Sequence, residues 1–100
     1  MKIQLLHTAD CHVWRDSLTV LEEALKTKGV EVKYEVVLVE SEEQAKTYKF
    51  SGSPTILVEG IDVDPRARSV TIYSVSSCRP YFYQGTTYDF PPKEMILEAL

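Results

Sequence analysis

The sequence predicts an α/β domain on a mixed four-stranded sheet with helices on both faces. Three observations carry that expectation. Apolar residues recur alternately at strand and helix spacing through Gly60, in the order β-α-β-α-β. An aromatic segment around Tyr81–Tyr83 has strand character and ends at Gly85, and the chain closes on a helical pattern. Strands joined through helices imply crossover connections, and such a sheet needs cover on both sides. The expected order is βαβαββα.

The first strand is Lys2–His7, loosely alternating and then fully apolar at Leu5–Leu6. Thr8 and Asp10 are both possible N-caps for the helix that follows, because their side-chain oxygens can accept from free N–H groups at a helix start. In that helix Trp14, Leu18, Leu21 and Leu25 form the apolar stripe, widened by Val20 and Ala24. Arg15, Asp16, Glu22, Glu23 and Lys26 make the wet face. Gly29 stops it, since glycine takes the left-handed turn without a Cβ penalty. In the second strand, Val30–Glu40, residues Val30, Val32, Tyr34 and Val36 share one side. The continuous run Val36–Val39 suits a strand covered on both faces. Ser41 and Gln44 make a capping box for a short helix over about Glu42–Lys49, with Ala45 and Tyr48 inward and Phe50 closing it. Ser51-Gly52-Ser53-Pro54 breaks that helix, and Thr55–Glu59 is the third strand. Residues 61–77 read as an irregular insertion: Asp62–Arg68 looks like a loop, and Ser69–Ser76 like a strand or an extended segment. The segment Cys78–Gly85 is expected to be the fourth strand, Thr86–Pro92 a connector, and the end a helix with Pro92 in its first turn.

The totals bound the rest. One hundred residues make one domain, spanning 1–100, that can bury a single core. The net charge of -4 and the absence of a Lys/Arg stripe argue against binding nucleic acid. The start carries only a short apolar run, and no stretch reaches the ~18 apolar residues of a membrane span. A soluble, cytoplasmic monomer is expected. Two distant cysteines, Cys11 and Cys78, form neither a disulfide framework nor a zinc spacing.

A strand, a cysteine opening a helix, a further β-α unit, and then Ser53-Pro54-Thr55 leading into a strand resemble the thioredoxin superfamily. The later segment Tyr81–Leu100 is similar to the closing hairpin and last helix of glutaredoxin-like members. The chain also resembles small bacterial thioredoxin-like proteins that share "GSPT" and a later "SCR-x-Y", here Ser77–Tyr81. The resemblance covers Lys2–Leu100 apart from the insertion. It implies a thioredoxin-like fold in which Pro54 is the cis-proline. It also implies that Ser53, Pro54 and Thr55, beside Trp14, present themselves to a thiol-bearing protein or to glutathione. The departure is Cys11-His12-Val13-Trp14, with tryptophan where the family's redox motif has its second cysteine.

Cys11 is therefore expected to act as a single nucleophile. A helix start favours an anion, so a thiol there leans toward thiolate. His12, when protonated, pushes the same way; Asp10 and Asp16 push back. Such a thiolate can form a mixed disulfide and then needs a second thiol for release. The placement of Cys78 at the start of the fourth strand puts it toward the far edge of the sheet, so a Cys11–Cys78 bridge is not expected. The alternative is a redox-inactive binding module on the same fold. No cofactor or metal is expected: His7, Asp10, Cys11 and His12 match no zinc spacing, and one thiolate is a poor soft-metal site. Glu59, Asp62 and Asp64 read as solvated turn residues, and Tyr81, Phe82, Tyr83, Tyr88 and Phe90 mainly as core filling.

Overall fold

The computed structural model describes residues 1–31, 33–69 and 79–100. The readings at Val32, across residues 70–77 and at Cys78 lie outside them. The sheet is built on β1 (Ile3–His7), whose five side chains are all buried. β1 pairs in parallel with β2 (Tyr34–Leu38), from Ile3↔Tyr34 to His7↔Leu38. On its other side it pairs antiparallel with β3 (Thr55–Val58), from Ile3↔Val58 to Leu6↔Thr55. A two-residue strand, β4 (Ile61–Asp62), closes the order β2-β1-β3-β4. The four-stranded mixed sheet is thus present, but its fourth strand is not Cys78–Gly85. Glu59 and Gly60 both take positive φ (54° and 77°), which turns the chain back within two residues. That tight hairpin delivers Ile61–Asp62 to the sheet edge before the aromatic segment arrives. A 3-10 helix, Pro65–Ser69, follows where a loop was expected.

The aromatic segment is still a strand, β5 (Tyr81–Tyr83). It pairs with β6 (Thr86–Tyr88) in a separate two-stranded ribbon. Gln84-Gly85, again both at positive φ, makes the turn, so the expected connector is half strand. Tyr81 is buried and Phe82 is 46% exposed, as their alternation predicts.

Helix α1 (Trp14–Lys28) and α3 (Lys93–Ala99) cover one face, and α2 (Glu42–Tyr48) the other. Period-two alternation in β1 assigns its side chains. Ile3 and Leu5 join Leu21, Ala24, Leu25, Met95 and Ile96 on the first face, while Leu6 joins Val39, Ala45 and Phe50 on the second. Gly29 ends α1 in the left-handed conformation, its N–H donating to the carbonyls of Leu25 and Lys26. Ser41 caps α2 through Gln44 N–H (3.1 Å), although the Gln44 side chain reaches Glu40 N–H (2.7 Å) rather than the N–H of the cap itself. Pro92 stands just before α3, its carbonyl accepting from Met95 and Ile96. The run Val36–Val39 misled: β2 is an edge strand, and Val36 and Leu38 are exposed.

Within α1, Ser17 is fully buried and its hydroxyl has no hydrogen-bond partner among the described residues. A buried polar atom left unpaired costs about 1–3 kcal/mol. Ser17→Ala is therefore expected to raise unfolding stability by about 1 kcal/mol, measured by urea denaturation. A loss of stability instead would mean that the hydroxyl is satisfied.

Candidate functional site

Cys11 sits in the turn between β1 and α1, and its N–H donates to the Thr8 carbonyl (3.3 Å). It does not open the helix. The residue before the first helical turn is Val13, and no side chain caps there. Neither Thr8 nor Asp10 caps α1. Thr8 is buried, and its N–H donates instead to the Ser53 hydroxyl (3.2 Å). This bond fixes the cysteine turn to the entry of β3. Trp14 is half-buried at the rim of the core: it packs against the cluster under α1, and its ring stacks on His7 at 4.2 Å between centroids and 9° between planes. The His7 Nδ1 lies 2.9 Å from the Thr8 carbonyl.

The Cys11 side chain, 9% exposed, opens onto a cavity of about 360 Å³. Asp10, His12, Val13, Ser53, Arg79, Pro80 and Asp89 line it with Cys11. Of the residues singled out in the sequence, Asp10, Cys11, His12 and Ser53 therefore come together. Pro54 and Thr55 are fully buried behind Ser53, across a Ser53-Pro54 bond that is cis, and Trp14 does not line the cavity. Among the described residues no metal-binding cluster of His, Cys, Asp or Glu forms.

The residue the sequence reading missed is Arg79. Its side chain is 8% exposed and gathers the whole Ser51–Thr55 loop. One guanidinium nitrogen donates to Asp62 Oδ2 (2.6 Å), Thr55 Oγ1 (3.2 Å) and Ser51 Oγ (3.5 Å). The other donates to Asp62 Oδ1 (3.2 Å) and pairs with Asp64 (3.5 Å). The Arg79 N–H donates to the Ser53 carbonyl (3.2 Å), and the guanidinium stacks over Tyr81 at 4.2 Å. The Tyr81 hydroxyl donates to the Pro54 carbonyl. Asp62 and Asp64 are thus not solvated turn residues: they are buried and bind a cation, whereas exposed Glu59 binds the Lys2 N–H (2.8 Å). The available signal was an arginine just before an aromatic strand. A buried guanidinium must find carboxylates, and a D-x-D stretch stood upstream.

The electrostatics follow from this packing. Burial acts to weaken the Arg79 charge, but Tyr81 and the carboxylates of Asp62 and Asp64 outweigh it, so the guanidinium holds its proton more firmly than usual. Burial also pushes the Tyr81 phenol far above its ordinary range, against the opposing pull of Arg79. Arg79 thus contributes to the lining of the cavity while its guanidinium is held among Asp62, Asp64 and Thr55. A cavity of this kind can admit a small thiol or a polypeptide segment next to one sulfur.

A family model matches residues 8–100, and its description is a domain of unknown function. No curated protein and no solved structure matches the chain.

Proposed function

The chain belongs to the DUF2703 family, a domain of unknown function, and from that premise we propose a thioredoxin-like protein that works through the single thiol of Cys11. The observation that carries the reading is the shared cavity: Cys11 from the β1–α1 turn and Ser53 from the loop entering β3 face one opening. The mixed four-stranded sheet, with β2 parallel and β3 antiparallel to β1 and helices on both faces, supports the reading.

The reaction is thiol–disulfide exchange. The Cys11 thiolate attacks one sulfur of a partner's disulfide. A new S–S bond forms, the old one breaks, and the partner's other sulfur leaves as thiolate. Because Trp14 holds the position of the second cysteine, the helix offers no thiol to resolve the product. The mixed disulfide persists until an external thiol, glutathione or a protein cysteine, attacks the partner's sulfur. That second exchange returns Cys11 as thiolate and leaves the incoming thiol bonded to the partner.

The test uses the full chain carrying Cys78→Ser. Incubation with glutathione disulfide is expected to add one glutathione, seen by intact mass, and the adduct disappears in the Cys11→Ser, Cys78→Ser double variant. Iodoacetamide is expected to alkylate Cys11 in the folded protein. If the folded chain takes neither reagent, thiol chemistry is out. The redox-inactive binding module, favoured by the 9% exposure of Cys11 and by the indole at the second cysteine's position, then becomes the reading.

A further inference from the structure

We infer that β2 is the interface of a homodimer, in which two copies of this strand pair antiparallel about a two-fold axis at Val36. The inference does not depend on the reading of Cys11. β2 is the outermost strand of the sheet. Val39 N–H donates to the His7 carbonyl (2.8 Å), which sets the phase of the backbone: odd-numbered residues turn their N–H and C=O toward β1. Tyr34, Val36 and Leu38 therefore turn theirs outward, and no described residue bonds them.

An exposed row of this kind templates strand addition, and proteins that keep it solvated blunt it with proline, bulges or charges. β2 has none of these on its outer row. Its pairing with β1 is regular over all five residues. Its one charge, Glu35, lies on the opposite face and is drawn back onto the Gln4 amide (2.8 Å). On the α1 face the strand instead shows Val36, 41% exposed, and Leu38, 37% exposed.

The occupant is a second copy because the strand complements itself. A two-fold axis perpendicular to the sheet keeps each face on its own side, so the axis must pass through a residue. Only an axis at Val36 pairs all of Tyr34–Leu38 with itself. Val36 then meets Val36 of the second copy, Tyr34 meets Leu38, and Glu35 meets Val37. Just outside the strand, Lys33 meets Val39. No like charges oppose each other, and such opposition would be destabilising. The outward groups pair at Tyr34, Val36 and Leu38, giving about six new backbone hydrogen bonds. The exposed apolar side chains of both copies cover one another in the same act. The chain is then a dimer rather than the monomer expected from its sequence.

The experiment is light scattering on the eluting full chain, in reducing buffer so that no cysteine-bridged pair contributes. The expected result is a mass of two chains at about 100 µM, above the micromolar constants of weak specific pairs, falling toward one chain on dilution. Val36→Lys is expected to give the mass of one chain at every concentration, with an unchanged far-ultraviolet circular dichroism spectrum. Leu38→Lys provides the same reading should Val36→Lys fail to fold. A wild-type mass of one chain throughout overturns the inference and leaves the edge to another partner or to none. A two-chain mass that both variants retain also overturns it, since the dimer then uses another surface.

Discussion

Asp62→Ala is expected to lower the unfolding free energy by about 3–5 kcal/mol, the range for breaking a buried ion pair from one side. The size follows from what the carboxylate does. Both of its oxygens accept from Arg79, at 2.6 and 3.2 Å, and Oδ1 also accepts the Asp64 N–H at 2.9 Å. Without it a nearly buried guanidinium keeps, among the described residues, the 3.5 Å contact to Asp64, two hydroxyls and the Tyr81 ring. Asp64→Ala is expected to cost less, about 1–2 kcal/mol, because its link to Arg79 is longer (3.5 Å) and its other oxygen accepts a backbone N–H, that of Arg66 (3.0 Å). Urea denaturation of the two variants beside the wild type measures both. Equal losses, or a loss below about 1 kcal/mol for Asp62→Ala, a value typical of exposed pairs, would refute the account of Arg79 as a buried and fully paired cation.

Gly52→Ala is expected to destabilise by about 2–4 kcal/mol, from backbone strain and overpacking together. Gly52 has φ of 150°, a conformation that residues with side chains rarely adopt. A Cβ placed there would stand 2.9 Å from the Arg79 Cβ, a main-stem atom that cannot swing aside without dragging the guanidinium off Asp62. The loop must therefore give way, and it carries Ser53, whose hydroxyl and carbonyl hold Thr8 and Arg79. The same variant is thus expected to change the rate of Cys11 alkylation even where the protein remains folded. A stable variant with an unchanged alkylation rate would show that the close approach is not constraining.

The contrast between what could and could not be read in the sequence is physical. α1, α2 and β3 were legible because each is fixed by neighbours along the chain: a helical stripe, a capping serine, a glycine stop, a proline break. The two X-Gly hairpins were missed since Glu59-Gly60 and Gln84-Gly85 act through backbone sign, and each looks like a strand end when read for hydrophobicity alone. β2 was misjudged because a run of valines records apolar character and not what lies beside it. At the site, Cys11 and Ser53 stood out by residue type. Arg79 did not, because its meaning depends on Asp62, Asp64 and Thr55, which are 17, 15 and 24 positions away in the chain. Burial turned residues that would be ordinary surface charges into the fastening of the loop whose Ser53 shares a cavity with the thiol.

Trp14 is the chain's single tryptophan, and it is stacked on His7 three positions from Cys11. The site consequently carries its own optical label. All indole emission from this protein comes from one ring, at one end of one helix, pressed against one imidazole. Anything that lifts the β1–α1 turn parts that stack and alters the emission, with no dye attached and no second tryptophan to dilute the signal. If Cys11 reacts as proposed and the adduct shifts this turn, the emission is expected to change on the unmodified chain.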